Sequence, residues 1–261
     1  MKRLQISLLI LVCLGSALFG CRPVVPRVAL PPVAEETLLQ QAAASGKAFH
    51  SLRGMAAIRA DIEGKTTNAR QVVLLQKPAN LRTEILGLFN QPALRVAVHR
   101  NLLTVHVPKD QLFLQGPATA GNMARFTLLP LGVEELVRLA LYDVPLIPYV
   151  DSLVSIEEDR YVLHLTDARG DAQILTFDRK LRLCGVEYYR QGDLLLRVGY
   201  DQFDDQPGAF PRRVSLAMPL QQASLIMDYA DLELNQEIPT ERFVLEPPAG
   251  TEVRWLPDNA G

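Results

Sequence analysis

Apolar and polar residues alternate with a period of two over most of the sequence after residue 51. In the segment from Leu52 to Ile62, apolar or small residues at every second position are separated by residues such as Arg53 and Arg59. This alternation is typical of a β-strand with one buried face. Similar runs follow at residues 69–76, 81–86, 94–99, 102–107, 111–115, 160–166, 172–177, 182–189, 194–200, 213–218 and 223–234. Short turns join most of them, so we predict antiparallel pairing.

Two segments have a helical period instead. Residues 35–49 start with two glutamates and place leucines and alanines on one side, which predicts a short amphipathic helix ending near Gly46. Residues 133–142 predict a second helix, which Pro145 and Pro148 end. Its apolar stripe consists of Val133, Leu136, Val137, Ala140 and Leu141.

These elements predict a mainly β protein. A sheet of about 11–12 strands tends to curl or close, so we expect a single curved antiparallel sheet whose concave face is filled by helices or encloses a lumen. Apolar residues at alternating strand positions are the candidates to line that face. They are Ile58, Val73, Leu75, Val96, Val98, Leu112, Leu114, Leu194, Leu196, Val198, Leu225 and Met227.

The N-terminal segment has the pattern of an export signal. Lys2 and Arg3 precede an apolar run from Ile6 to Val12. The sequence Leu18-Phe19-Gly20-Cys21 resembles the lipobox of bacterial lipoproteins, in which the cysteine carries the lipid. We therefore predict a signal peptide at 1–20, a lipid-anchored, proline-rich tether at 21–34 and one domain at 35–261. An ordinary signal peptide or an uncleaved anchor is the alternative.

Composition excludes several classes of protein. The 261 residues are 48% hydrophobic and 21% charged, with a net charge of -2, as in an ordinary globular protein. Because 27 basic residues face 29 acidic ones, no excess of positive charge is available for general nucleic-acid binding. After processing, Cys184 would be the single cysteine besides Cys21, so no internal disulfide is expected. We interpret Cys184 as a small buried apolar residue.

Motifs for catalysis or metal binding are missing from the sequence. His50, His99, His106 and His164 have no zinc-site spacing, and no nucleophile elbow, P-loop or dinucleotide glycine pattern occurs. Asp204 and Asp205 lie in a turn composition rather than a clear acid pair. We therefore expect no enzyme activity, no metal and no cofactor other than a covalent lipid on Cys21.

From Leu52 to Leu234 the order of elements resembles the LolA/LolB superfamily of lipoprotein carriers and receptors. The residues that carry this resemblance are Leu52–Arg59, Gly87–Gln91, Val133–Tyr142 with Val144-Pro145, and Tyr188–Gly199. It implies an incomplete antiparallel β-barrel with helices capping an apolar cavity. The lipobox makes the chain more similar to LolB, an outer-membrane lipoprotein, although the tail Phe243–Gly250 is similar to LolA-type chains.

The resemblance also implies roles for particular residues. Leu88 and Phe89 match an exposed apolar loop that LolB-type receptors use for membrane insertion; alternatively, they fold back onto the barrel mouth as core. Arg53 or Arg59 corresponds to a lid latch that bonds helix carbonyls, or both are solvated arginines on the convex face. The stripe of the second helix would be the inner face of a lid.

The expected function is therefore that of an outer-membrane lipoprotein, facing the periplasm, that binds acyl chains of other lipoproteins and helps insert them. Arg22 follows the cysteine in place of the aspartate that signals inner-membrane retention in enteric bacteria. Expected partners are acylated lipoproteins, the membrane through the lipid anchor, and a soluble LolA-like carrier as donor; we expect a monomer that binds no nucleic acid. A lipoprotein- or glycolipid-sensing module and a structural envelope lipoprotein are the alternatives.

Overall fold

The structure is a computed structural model that describes residues 30–127, 129–206 and 208–257. Within them, fourteen strands form one sheet. The strands are β1 (Ser51–Ile62), β2 (Lys65–Gln76), β3 (Asn80–Leu86), β4 (Pro92–His99), β5 (Leu102–Val107), β6 (Leu112–Pro117), β7 (Asp151–Glu157), β8 (Arg160–Thr166), β9 (Ala172–Phe177), β10 (Leu183–Arg190), β11 (Asp193–Phe203), β12 (Pro211–Met218), β13 (Ala223–Leu234) and β14 (Glu252–Trp255).

The strand order is β14-β6-β5-β4-β3-β2-β1-β13-β12-β11-β10-β9-β8-β7. All neighbours pair antiparallel except β14, which runs parallel to β6. Because β14 and β7 are the two ends of this order, the sheet is curved but not closed, and the predicted class of an incomplete barrel is confirmed. Strand β1 lies in the middle, paired with β2 on one side and β13 on the other.

Three α-helices occur in the described residues: α1 (Glu35–Ala48), α2 (Ala120–Thr127) and α3 (Val133–Ala140). Helices α2 and α3 lie in the connection between β6 and β7, so this connection leads from one half of the sheet to the far edge of the other. None of the described helices is long and apolar enough to span a bilayer.

Two strands and one helix were not predicted from the sequence. β7 carries exposed apolar residues on a sheet edge, and β14 has four residues, all exposed, so neither has the usual alternation. Helix α2 has eight residues, including Gly121 and Asn122, and so gives only a weak helical pattern. The structure therefore has fourteen strands where the sequence predicts about 11–12.

The chain after β13 crosses the convex face of the sheet. We call residues 235–257 the C-terminal strap. Ile238 and Phe243 of the strap pack on Leu74 of β2, with Val72 at the edge of this cluster. The Arg82 guanidinium, on β3, donates a hydrogen bond to the Arg242 carbonyl over 2.9 Å. Strands on this side of the sheet are therefore buried on both faces.

Candidate functional site

An apolar cavity of about 120 Å³ lies on the concave face, between the middle of the sheet and helices α2 and α3. Strands β1, β2, β3 and β13 form its wall. Phe126 and Thr127 of α2 and Leu136 and Ala140 of α3 cover it. Because one water occupies about 30 Å³ of liquid volume, the cavity has room for about four water-sized groups, comparable to part of one acyl chain.

Strand pairing explains why these side chains converge. Ile58 on β1 pairs with Ala69 on β2 and with Met227 on β13, so their side chains point to the same face. The small residues Ala60 and Ala69 leave space between larger neighbours. The wall residues that contact the cavity are Ile58, Ala60, Thr67, Ala69, Gln71, Val73, Leu75, Leu81, Thr83, Ile85, Leu225 and Met227.

One polar pair lies within this apolar wall. The Thr83 hydroxyl donates a hydrogen bond to Gln71 Oε1 over 2.5 Å. The two residues are diagonal neighbours on β2 and β3, since Gln71 pairs with Ile85 and Thr83 pairs with Val73. Gln71 is only 7% exposed. The sequence signal for it is a polar residue within the alternating series Ala69, Val73 and Leu75.

The candidate cavity residues from the sequence fall into three groups. Ile58, Val73, Leu75, Leu225 and Met227 line the cavity. Val96, Val98, Leu196 and Val198 are buried but do not contact it, because close packing fills this part of the concave face. Leu112, Leu114 and Leu194 lie at or near strand starts and are half-buried. The open space is therefore smaller than the whole concave face.

The predicted lid stripe is buried throughout. Val133, Leu136, Val137, Ala140 and Leu141 are each at most 7% exposed, and Leu136 and Ala140 reach the cavity. Helix α3 ends at Ala140, two residues earlier than predicted.

Buried tyrosines from the sheet hold the carboxyl end of α3. Tyr200 on β11 donates to the Leu139 carbonyl over 3.0 Å, and Tyr229 on β13 donates to the Ala140 carbonyl over 3.4 Å. Burial raises the pKa of both phenols well above their usual value, so they remain donors at neutral pH. Tyr142 packs edge-on against Tyr200 and donates to the Leu183 carbonyl over 2.8 Å.

An ion cluster lies directly after these tyrosine contacts. Asp143 accepts hydrogen bonds from Arg138 on α3 and lies 2.9 Å from Lys77 Nζ, at the end of β2. Lys77 also donates to the Gly46 carbonyl of α1 over 2.5 Å. Burial alone would raise the pKa of the Asp143 carboxyl, but Arg138 and Lys77 outweigh it and hold this pKa below its usual value. The cluster connects α1, α3 and the sheet.

The candidate latch arginines lie elsewhere. Arg53 is paired with Glu233 on β13 over 2.7 Å, with both side chains about half exposed. Arg59 is exposed on the same strand and lines a surface groove that also contacts Leu88. Neither donates to a carbonyl of the described helices, because strand alternation places both on the convex face and the helices cover the concave one. An arginine latch at these positions does not fit the structure.

The loop between β3 and β4 presents both of its apolar residues to solvent. Leu88 is 84% exposed and Phe89 is 92% exposed, so they do not fold back as core. A 2.8 Å hydrogen bond from the Gly87 amide to the Gln91 carbonyl closes the loop, and Arg70 donates to Asn90 Oδ1 over 2.8 Å. Phe89 has a left-handed backbone with φ of 62°, which is unfavourable for a bulky side chain. We call residues 87–91 the apolar tip.

Two of the histidines have a polar side chain as partner. His106 faces Arg95 over 3.1 Å and His99 faces Asn80 over 2.9 Å. Cys184 is half-buried, and burial raises the pKa of its thiol. Among the described residues, no three His, Cys, Asp or Glu side chains are grouped to hold a metal. Cys21 lies outside the described residues.

The unclosed sheet and its helix-covered apolar cavity define the class of an unclosed half-barrel with a cavity on its concave face. Solved structures share it. A LolA superfamily protein from Nitrosomonas europaea is 19% identical with a TM-score of 0.53, covering 82% of this chain and 99% of its own. A DUF1329 family protein from Desulfovibrio piger is 16% identical with a TM-score of 0.52, covering 80% and 96%.

A Vibrio parahaemolyticus domain named for outer membrane lipoprotein sorting is 12% identical, with a TM-score of 0.52 and coverage of 79% and 94%. No protein-family model matches the sequence, and no curated protein matches it significantly. At these identities the comparisons establish a fold shared with these three solved structures.

Proposed function

We propose that this chain is a LolB-like lipoprotein of the outer membrane that binds acyl chains of other lipoproteins in its cavity and helps insert them. The observation that carries the proposal is the apolar cavity between the sheet and helices α2 and α3. Its wall contains no charged side chain among the described lining residues, so a hydrocarbon chain is the ligand that fits it best.

The free energy gained by burying methylene groups favours binding of an acyl chain in this cavity. Each buried methylene contributes about 0.8 kcal/mol, so about four methylenes in the cavity contribute about 3 kcal/mol, and stable binding requires that the cavity takes up more of the chain. The cavity has room for part of one chain in this conformation, so binding a lipoprotein with more chains requires α2 or α3 to move. Hydrogen bonds hold both helices, because Tyr200 and Tyr229 donate to α3 and Asn122 of α2 donates to the Pro117 and Pro257 carbonyls. Opening of the cavity must therefore break contacts of one of these helices.

The apolar tip indicates in which direction the protein would transfer its lipid cargo. Leu88 and Phe89 are exposed on a loop whose shape is fixed by hydrogen bonds, and an exposed apolar pair of this kind partitions into a membrane surface. Exposed Leu220 lies on the β12–β13 turn at the same end of the sheet. This end would face the outer membrane, while a lipid on Cys21 keeps the protein there.

The partners follow from the same proposal. Acylated lipoproteins are the cargo, and a soluble LolA-like carrier is the proposed donor in the periplasm. Arg22 after the lipidated cysteine favours the outer membrane as the address.

Binding and transfer of an acylated peptide test the proposal. The full chain carrying Cys21→Ser should bind a fluorescent diacylated lipopeptide, and the native chain should pass it to vesicles of outer-membrane lipids faster than spontaneous exchange. Absence of lipopeptide binding would refute the proposal. The same Cys21→Ser change should abolish fatty-acid labelling and release the protein from membranes; unchanged labelling would refute lipidation at Cys21.

A lipid-sensing module is the second candidate, and one observation favours it. The hydrogen bonds from Tyr200 and Tyr229 fasten α3 to the sheet more firmly than a freely opening lid requires. A sensor would bind the lipopeptide and retain it in the presence of acceptor vesicles. The transfer measurement therefore separates the two candidates.

A further inference from the structure

Gln71 is a polar side chain inside a cavity that otherwise suits hydrocarbon. It is 93% buried, since 7% of its surface is exposed, and it contacts the cavity directly. Its Oε1 accepts the hydrogen bond from Thr83. Among the described residues its Nε2 donates to no other group, and it is not one of the fully buried polar atoms without a partner, so its N–H groups remain open to a ligand.

The hydrogen bond between Gln71 and Thr83 determines which atoms of the Gln71 amide are available to a ligand. Thr83 occupies Oε1 and so orients the Gln71 amide, which leaves two N–H groups as donors at the cavity surface. A ligand that satisfies them must therefore bring an acceptor. The neighbours Ala69, Val73 and Ile85 are apolar, so a chain lying along β2 has contact with hydrocarbon on both sides of this donor.

The charge of the lining residues limits which acceptor groups a ligand could place beside Gln71. None of the described lining residues is cationic, so an ionised fatty acid would bury its carboxylate without a counter-charge. An ester carbonyl is neutral, is only an acceptor, and joins directly to the acyl chain. We infer that Gln71, oriented by Thr83, is a recognition site for the ester carbonyl of an acylated ligand.

This inference rests on the proposed function, because it concerns the same cavity. It adds that the protein recognises the linkage as well as the hydrocarbon, and that the ester group lies at the level of Gln71. Acyl esters should then bind at one fixed position along β2, whereas a plain hydrocarbon should bind at several positions along the same strand.

A matched pair of ligands tests whether Gln71 recognises the ester carbonyl. Methyl myristate and pentadecane, delivered from cyclodextrin, compete with a hydrophobic fluorescent dye bound to the full chain carrying Cys21→Ser. Gln71→Met keeps the side-chain volume and removes the donor. It should weaken methyl myristate binding about five- to tenfold and leave pentadecane binding unchanged.

Two further variants serve as controls. Gln71→Met with Thr83→Val removes both polar groups, so no hydroxyl is left without a partner, and it should show the same selective loss. Val73→Ala removes apolar wall on the same strand and should weaken both ligands alike. In infrared spectra, the carbonyl band of isotope-labelled methyl myristate should lie at lower frequency in the Cys21→Ser chain than in its Gln71→Met derivative.

The results of these measurements distinguish failure of the inference about Gln71 from failure of the proposed function. If Gln71→Met weakens both ligands equally, or neither, or leaves the carbonyl band unmoved, the residue only fills space and the inference is wrong while the cavity remains a hydrocarbon site. If the chain with Gln71 intact binds neither methyl myristate nor pentadecane, the proposed function itself fails.

Discussion

Asp143 combines burial with a full charge. Its side chain is 18% exposed and lies between Lys77 and Arg138, which belong to different elements. Removing one member of such a cluster leaves the other charges partly buried without compensation. The carboxylate therefore stabilises the position of α3 on the sheet as well as neutralising its neighbours.

Replacing the Asp143 carboxylate should change how the free energy of unfolding depends on pH. Its pKa in the folded protein lies below the ordinary value of 3.8, so the ionised form stabilises the fold above the unfolded-state pKa. That contribution is lost as the pH falls through the folded-state pKa. Asp143→Asn should lower the free energy of unfolding by about 2 kcal/mol near neutral pH. Urea titrations should show this difference shrinking below about pH 4.

An exposed pair provides the control. Glu252 and Arg254 are both 59% exposed, so Glu252→Gln should leave the unfolding free energy unchanged at neutral pH. An Asp143→Asn difference that stays constant down to pH 3 would contradict the assignment of the pH dependence to this carboxylate.

Tyr200 makes a second residue-scale contact that can be tested alone. Tyr200→Phe keeps the ring packing against Tyr142 but removes the donor to the Leu139 carbonyl. We expect a loss of about 1–2 kcal/mol in unfolding free energy and faster amide exchange at the end of α3. Tyr189→Phe removes a hydroxyl bonded to Glu187 near the surface and should have a smaller effect. Equal effects of the two changes would contradict a special role for Tyr200.

At the scale of elements, the apolar tip separates delivery from storage of lipid. Leu88→Glu with Phe89→Glu should change stability by no more than about 0.5 kcal/mol, because both side chains are exposed. Lipopeptide binding should persist, since neither residue lines the apolar cavity beneath α2 and α3. Transfer to vesicles should slow strongly, because the tip could enter the membrane only by burying charge.

Leu102→Glu is the matched control for the tip. Leu102 is also exposed, as the first residue of β5 after the turn at the opposite end of β4, so the change should leave the transfer rate unaltered. If the tip variant folds and transfers at the unmodified rate, the loop has no part in delivery.

The elements also show where sequence reasoning succeeds. Period-two alternation is a strong signal in strands such as β1, which is covered on one face, and it predicted twelve of the strands. It fails for β7, where the apolar residues Leu153 and Ile156 are exposed at the sheet edge. It fails for β14 because four residues are too few.

The site was less predictable than the fold for a related reason. Alternation identifies residues on the concave face, but it cannot separate Val73, which lines the cavity, from Val96, which is packed. That difference depends on which strands the helices cover. The Asp143 cluster joins three distant segments of the chain, so no local pattern contains it.

At the scale of the whole molecule, the C-terminal strap contributes to the stability of the sheet. Phe243 is 1% exposed and packs on Leu74 and Ile238. Phe243→Ala should reduce the unfolding free energy by about 3–5 kcal/mol. Val244→Ala changes the adjacent, 45% exposed residue and should have little effect. A small effect of Phe243→Ala in thermal or urea unfolding would show that the strap is only loosely attached.

The strap also makes the two halves of the sheet mechanically unequal. On the strap side, β2 and β3 are clamped between the C-terminal segment and the concave core, and a layer packed on both faces resists bending. On the other side, β11 exposes Arg197 and Asp201 to water on the convex face. The cavity wall formed by β2 and β3 is therefore stiff, whereas the wall formed by β13 is not covered by the strap, so a bulky guest would be accommodated by movement of α2 or α3 together with outward flexing of β13.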